Sequence, residues 1–135
     1  YAEAHGLELF VVSQFCFEPQ RVLDWLVRLR ARGVTAPVRI GVAGPATVRT
    51  LLAYALRCGI GTSMKALGSQ PVSLTRMLAR HDPDDLARAI APRAAGLGVA
   101  GLHLFAFGNF ADSAQWLRDA AAGRFGAEAL DPVRR

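Results

Sequence analysis

The chain is poor in cysteine and has no long hydrophobic run, and these absences argue against several classes of protein. Its two cysteines, Cys16 and Cys58, lie far apart without metal-ligand spacing, which is typical of reduced thiols in the cytoplasm. The longest apolar runs resemble strands, such as 9–12, and are much shorter than the roughly 20 residues that span a bilayer. Neither end has the pattern of a signal peptide. We therefore expect a cytoplasmic protein without a membrane segment.

Dense basic runs are also missing, although the net charge is +5 and the pI is about 10.2. The basic residues are almost all arginine and are scattered singly along predicted helices, without interleaved aromatic residues. This distribution favours a solvated, arginine-rich surface. A basic nucleic-acid module would instead bind DNA or RNA with an affinity that falls steeply with salt. We expect no nucleic-acid partner.

What the sequence does contain is apolar material for one core. At 135 residues and 52% hydrophobic, residues 1–135 are expected to form one domain or a part of one. Three apolar, strand-like segments alternate with amphipathic helices: Leu7 to Phe17, Pro37 to Ala43 and Ala100 to Phe107. This order predicts a parallel α/β sheet. Periodicity alone leaves open whether the sheet is half of a barrel or small and doubly wound.

The predicted helices have recognisable starts and apolar faces. Glu18-Pro19 opens the first and Gly33 ends it, because proline suits the first helical position. The second is expected from Gly44-Pro45, the third from Asp82-Pro83, and the fourth has Asp112 or Ser113 as its N-cap. Their expected buried faces are Val22, Trp25, Leu26 and Leu29; Val48, Leu51, Leu52 and Leu56; Leu86 and Ile90; and Trp116, Leu117 and Ala120. Shorter helical pieces are expected at 63–67 and 73–80, and 123–135 is a weakly patterned tail.

Polar residues near the ends of the predicted strands are the candidates for function, because ligands of parallel α/β folds bind there. Gln14 lies in the first apolar segment, and its amide could bind the edge of a heterocycle or satisfy a structural hydrogen bond. The small residues of 41–44 would let a ligand approach the backbone or would simply form a turn. Thr50 and Tyr54 share one helix face, although packing is the ordinary role of such a tyrosine. Asn109 follows the third strand.

No residue pattern indicates a metal site or a nucleophile. His103 lies inside the third strand and is expected to be a core histidine, whereas His5 and His81 have no carboxylate or cysteine at metal spacing. The sequence contains no nucleophile elbow, P-loop or complete dinucleotide fingerprint. The candidate chemistry is therefore ligand binding.

Three motifs together resemble the methylenetetrahydrofolate reductase family. VVSQFCFE (Val11 to Glu18) is similar to the family's Ile-Thr-Gln segment with its phenylalanines and acidic residue, and GLHLFAF is similar to its Gly-x-His-Phe-Tyr-Thr-Leu strand. Between them come a helix, a glycine step and the strand PVRIGVAG, in the family's order. The match covers Gly6 to about Asn109. The resemblance implies a (β/α)₈ TIM barrel, of which this chain supplies roughly strands six to eight.

The resemblance also implies roles for individual residues. Gln14 would hydrogen-bond the folate pterin, and Thr50 and Tyr54 would take the places of a glutamine and a ring-stacking phenylalanine. Val12 and Tyr54 would contact the cofactor. Asn109 would contact folate where the family has arginine, which leaves binding of the glutamate tail in question. The family's catalytic glutamate and most of its FAD contacts lie in the first five strands, so no catalytic residue is expected here.

The resemblance therefore predicts a reductase that converts 5,10-methylenetetrahydrofolate to 5-methyltetrahydrofolate, using NAD(P)H and FAD. The chain would carry the folate-binding half of the site and would be inactive by itself. Exposed strand edges predict self-association or a homo-oligomer. The alternative is a non-catalytic folate-binding or interaction module of the same fold, which the replaced residues Thr50 and Asn109 favour.

Overall fold

The computed structural model describes residues 3–58, 80–81 and 83–124. The helices and strands in chain order are β1 (Val11–Val12), α1 (Pro19–Ala31), β2 (Val38–Ala43), β3 (Ala46–Thr47), α2 (Val48–Arg57), β4 (Arg80–His81), α3 (Asp84–Ala94), β5 (Val99–Phe105) and α4 (Phe110–Ala121). Short 3₁₀ turns lie at Glu3–His5 and Ala95–Leu97. The chain divides into two compact units, Tyr1–Val42 with Leu86–Phe105 and Ala43–Asp85 with Ala106–Arg135.

The first unit contains a parallel, three-stranded sheet in the order β1-β2-β5. Val11 lies opposite Val38, and Val12 lies opposite Arg39. The backbone N–H of Val38 donates to the carbonyl of Gly98, just before β5. The predicted parallel α/β sheet is therefore present, with strand β2 in its centre.

One face of this sheet is covered by helices. Every second residue of β2 is fully buried, and these residues form a core with apolar side chains of α1 and α3; the members are Val22, Leu23, Leu26, Val38, Ile40, Val42, Leu86 and Ile90. Since alternate strand residues point to the same face, α1 and α3 pack on one side of the sheet. The predicted apolar faces of these two helices are confirmed.

Helix α1 begins where the sequence predicted, because proline occupies its first turn and Glu18 its N-cap position. Its last turn is fixed by Arg30. The Arg30 guanidinium donates from Nη1 to the carbonyls of Val34 (2.6 Å) and Ala36 (2.9 Å), and from Nε to that of Leu97 (2.9 Å). It also donates from Nη2 to the carbonyl of Gly98 at 3.0 Å. Arg30 thus ties α1 to the loops that enter β2 and β5.

The first predicted strand is wrong in its extent. Leu7 to Phe17 was expected to be one buried strand, but only Val11–Val12 is strand and Leu9 is 62% exposed. Arg30 already bonds the loop carbonyls before β2, which a longer β1 would otherwise use. After Val12 the Ser13 hydroxyl accepts the N–H of Gly41 at 2.8 Å, which replaces a bond of the ladder. β1 therefore stays short.

The second unit contains α2, α4 and the short antiparallel pair β3 and β4. Ala46 lies opposite His81, and Thr47 lies opposite Arg80. Val48 and Leu51 of α2 and Trp116 of α4 are buried, as predicted.

Three expectations for the second unit are wrong. Helix α2 begins at Val48 and not at Gly44-Pro45, because Thr47 is its N-cap and residues 46–47 form β3. Leu56 and Leu117 are exposed, since they lie on the outer edges of their helix faces. The N-cap of α4 is Asn109 and not Asp112 or Ser113, because the Asn109 side chain accepts the N–H of Asp112.

Two predicted segments fall mainly outside the described residues. The helical pieces at 63–67 and 73–80 lie there, apart from Arg80, which belongs to β4. The tail 123–135 also lies there, apart from Gly123 and Arg124. Within the part of the chain that is described, no helix is long and apolar enough to cross a membrane.

Candidate functional site

A cleft in the second unit contains three of the predicted site residues. Among the described residues, its lining consists of Ala46, Thr47, Thr50, Tyr54, Phe107, Gly108 and Asn109. Its volume of about 360 Å³ lies at the lower end of the range of small-molecule sites. The structure thus brings Thr50, Tyr54 and Asn109, which are up to 59 residues apart in the sequence, to one place.

The first turn of α2 supplies two threonine hydroxyls to the cleft. Thr47 is the N-cap, and its Oγ1 accepts the backbone N–H of Thr50 at 3.2 Å. The same Oγ1 lies 2.9 Å from the Oγ1 of Thr50, which is a hydrogen bond between the two hydroxyls. The capping requirement of the helix therefore fixes both hydroxyls at the cleft.

An aromatic pair forms the apolar part of the cleft. The rings of Tyr54 and Phe107 have centroids 4.9 Å apart and an interplanar angle of 57°. Phe107 is buried, whereas Tyr54 is 39% exposed. Tyr54 lies two turns into α2, on the same helix face as Thr50. The cleft thus pairs a fixed ring with an accessible one, which suits a planar ligand.

Asn109 lies at the start of α4, where its side chain caps the helix. Its Oδ1 accepts the backbone N–H of Asp112 at 3.2 Å, and its Nδ2 donates to Oδ2 of Asp112 at 2.5 Å. The amide is therefore held in one orientation, with one N–H of Nδ2 not used by these two bonds. Phe110, the next residue, is largely exposed.

The other two predicted site residues, Gln14 and Val12, belong to the first unit. Both are exposed. The Oε1 of Gln14 accepts the backbone N–H of Phe15 at 3.0 Å, and the Ser13 hydroxyl donates to the Gln14 carbonyl at 2.9 Å. These bonds hold the Gln14 amide in place while its Nε2 remains available as a donor.

Gly41 is small because of the chain's own packing. A Cβ added there would lie 2.4 Å from the Ser13 carbonyl oxygen and 2.8 Å from the Phe105 ring. Packing therefore explains Gly41 by itself. Of the two interpretations given for residues 41–44, close approach of a ligand is not needed at this position. The glycine lets β1 and β5 come close to β2.

His103 is half-buried, and its ring packs edge-on against Phe105 with a centroid distance of 4.7 Å. The side chain is therefore not part of the buried core in which it was expected, and its structural role stays a prediction. Among the described residues, no three His, Cys, Asp or Glu side chains lie close enough together to hold a metal ion.

The sequence did not single out Thr47 or Phe107. The spacing of Thr47 and Thr50 could have revealed the cap, but Gly44-Pro45 was the stronger helix-start signal. Phe107 ends an apolar run and carries no separate signal. The cleft offers hydroxyls, an amide and two rings, groups that are chemically suited to a planar, polar molecule. No protein-family model matches the sequence.

Proposed function

We propose that this chain carries the folate-binding half of the active site of a flavin-dependent methylenetetrahydrofolate reductase. The observation that carries the proposal is the convergence of Thr50, Tyr54 and Asn109 on one cleft. Their positions near the ends of the predicted strands made these residues candidates, and the resemblance implies that they contact folate or the cofactor. Their meeting at one site supports the positional match.

The topology fits the (β/α)₈ barrel that the resemblance implies. The strands are neighbours in the order in which they occur in the chain, β1-β2-β5. Helices α1 and α3 contribute to one core on one face of β2. A barrel has both properties, and each half of a doubly wound sheet has them too, so the choice of the barrel depends on the resemblance. We assign the three strands to positions six to eight of the barrel.

The edge of the sheet also supports a larger assembly. Leu7, Leu9, Phe10 and Val12 are exposed on or beside β1, which pairs with one strand in the described part of the chain. Further strands would cover such apolar groups. The isolated chain is therefore expected to be inactive and to self-associate.

Each of the residues that the resemblance selects has its own proposed role in binding, three of them in the cleft of the second unit and two in the first unit. The Tyr54 ring stacks on a planar part of the ligand or cofactor, and Thr50 and Asn109 provide polar contacts beside it. Gln14 bonds the pterin through its amide, and Val12 contacts the cofactor. The accessible ring of Tyr54 fits the planar groups of folate, FAD and nicotinamide, although no residue here is specific to FAD. When bound, FAD and NAD(P)H would supply hydride-transfer chemistry.

The alternative function is a non-catalytic folate-binding or interaction module. It is favoured by the local hydrogen bonds at two of the site residues. Thr50 bonds Thr47, and Asn109 bonds Asp112, so both polar groups already have a capping role without a ligand. This alternative retains folate binding and lacks bound flavin.

Folate binding is tested by isothermal titration of the purified natural protein with 5-methyltetrahydrofolate. Tyr54→Ala removes the stacking ring and is expected to weaken binding about tenfold, whereas Tyr54→Phe retains it. Leu56→Ala is the matched control, because Leu56 is 70% exposed on the same helix and does not line the cleft. Equal affinities for Tyr54→Ala and Leu56→Ala, or no binding by any form, would contradict the proposal.

A further inference from the structure

The side chain of Thr47 makes two hydrogen bonds, and both of them involve Thr50. Its Oγ1 accepts the backbone N–H of Thr50 at 3.2 Å, which caps helix α2. The same oxygen lies 2.9 Å from Oγ1 of Thr50, so a second hydrogen bond joins the two side chains. The first bond stabilises the start of the helix, and the second holds the Thr50 hydroxyl in one direction.

The bond between the two hydroxyls adds nothing to the cap. In a capping box, the side chain at the third helical position reaches back to the backbone N–H of the N-cap residue. Thr50 occupies this third position, but its Oγ1 bonds the side chain of Thr47 instead. The effect of this bond is therefore the orientation of Thr50.

The orientation of Thr50 is not fixed by the helix itself. A helical threonine has two favourable χ1 rotamers, because its hydroxyl can also bond a backbone carbonyl three or four residues earlier in the chain. The hydroxyl of Thr47 selects one rotamer of Thr50 by offering a side-chain partner at 2.9 Å. Without it, the Thr50 hydroxyl would be distributed over the staggered positions.

The oriented hydroxyl lies beside the accessible ring of the cleft. Thr50 and Tyr54 both line the cleft, and their spacing of four residues places them on one face of α2. The Tyr54 ring is held by Phe107, so a planar ligand that stacks on Tyr54 would have its edge near Thr50. Whichever threonine donates in the bond between the hydroxyls, the second hydroxyl hydrogen of the pair can donate to an acceptor on that edge.

We propose that Thr47 is a positioning residue for ligand binding in the cleft. It acts through Thr50, whose hydroxyl it directs towards an acceptor atom at the edge of a planar ligand stacked on Tyr54. The identity of the ligand rests on the proposed folate-binding function. The proposal adds to that function a residue that the sequence motifs did not select.

The test is a double-mutant cycle on the purified natural protein, titrated with 5-methyltetrahydrofolate in a calorimeter. Thr50→Val should weaken binding about fivefold, because it removes one neutral hydrogen bond. Thr47→Val should weaken binding about threefold while Thr50 is present, because about one in three rotamers keeps the bound orientation. In the Thr50→Val background, the same change at Thr47 should alter the dissociation constant by less than about 1.5-fold.

Urea denaturation of the same variants separates positioning from capping. Thr47→Val should lower the urea midpoint in both backgrounds, because the cap is lost whether or not Thr50 has its hydroxyl. Thr47→Ser keeps both hydrogen bonds and should restore the affinity and the midpoint of the wild type. Thr35→Val is the matched control, because Thr35 is an exposed threonine outside the cleft; it should change neither quantity.

Two results would overturn the role of Thr47 and leave folate binding intact. One is an equal loss of affinity for Thr47→Val in both backgrounds, since a cap or a direct contact acts without the Thr50 hydroxyl. The other is a Thr50→Val variant that binds like the wild type. A wild-type protein that does not bind 5-methyltetrahydrofolate would overturn the proposed function, and the role of Thr47 with it.

Discussion

The indole Nε1 of Trp116 donates a hydrogen bond of 2.6 Å to Oδ1 of Asp84, and both side chains are buried. Asp84 is the first residue of α3 and Trp116 lies in the middle of α4. The bond therefore joins two helices of the chain through a polar contact inside an apolar region. Such contacts are costly to break, because a buried carboxylate then loses a hydrogen bond that water does not replace.

Replacement of this donor is expected to destabilise the protein. Trp116→Phe keeps an aromatic ring but removes the N–H and part of the buried volume, so the free energy of unfolding should fall by about 2 kcal/mol. The measurement is urea denaturation followed by circular dichroism. Leu117→Ala is the control, because Leu117 is an exposed neighbour; it should change the free energy of unfolding by less than about 0.5 kcal/mol. A Trp116→Phe midpoint equal to that of the wild type would show that the bond has no net effect.

Gly41 gives a second prediction about stability. Gly41→Ala would place a Cβ against the Ser13 carbonyl and the Phe105 ring, so β1 or β5 must shift, at a cost of about 1–3 kcal/mol. Gly96→Ala is the matched control, because nothing lies within 4 Å of its added Cβ. Thermal denaturation of both variants checks the prediction. Equal melting temperatures for Gly41→Ala and Gly96→Ala would contradict the prediction.

The lowered pKa of Asp119 leads to the prediction that the free energy of unfolding depends on pH. The hydrogen bond from Gln115 and the bond and charge of Arg124 hold the pKa of Asp119 below its usual value. Since the folded pKa is the lower one, the stabilisation is complete above the unfolded pKa of about 3.9 and is lost as the pH falls through the folded pKa.

The variant Asp119→Asn tests this dependence. At about pH 6 the wild type should have a higher free energy of unfolding than Asp119→Asn, and this difference should shrink below about pH 4. Arg124→Gln should reduce the pH dependence without abolishing it, because the Gln115 bond remains. The measurement is denaturant unfolding across this pH range. If the stability difference between the wild type and Asp119→Asn grew towards low pH, the pKa of Asp119 would be shifted in the opposite direction.

Gln14 tests the site in the first unit. Gln14→Ala removes the amide that is expected to bond the pterin, so affinity for 5-methyltetrahydrofolate should fall about tenfold. Gln20→Ala serves as the control, because Gln20 is an exposed glutamine on α1 that bonds Asp24. Titration calorimetry distinguishes the two variants. Equal affinities would remove Gln14 from the site.

Strong local signals allowed α1, β2 and α3 to be predicted from the sequence. Glu18-Pro19 and Gly33 delimit α1 closely, and the apolar spacing identifies the residues that pack in the core. These signals are local, since they depend on proline geometry and helix periodicity. The parallel sheet followed from the alternation of helices and apolar segments.

The parts that could not be predicted depend on contacts between distant residues. The length of β1 is limited by Arg30 and by the Ser13 hydroxyl, and the bonds that these two groups make with distant backbone cannot be inferred from the apolar run of 7–17. The cap at Asn109 requires the orientation of its amide towards Asp112. Thr50 and Tyr54 could be selected by their spacing, but Thr47 and Phe107 join the cleft only through the tertiary structure.

The most direct test of the reductase assignment is the absorbance of the purified natural protein between about 350 and 500 nm, recorded anaerobically with NAD(P)H and then with 5,10-methylenetetrahydrofolate. The account predicts the bands of a bound flavin, their loss with NAD(P)H and their return with the folate. A protein that shows no flavin bands, and that takes up none when FAD is added, would contradict the reductase assignment. Folate binding without flavin would then identify the protein as the non-catalytic module.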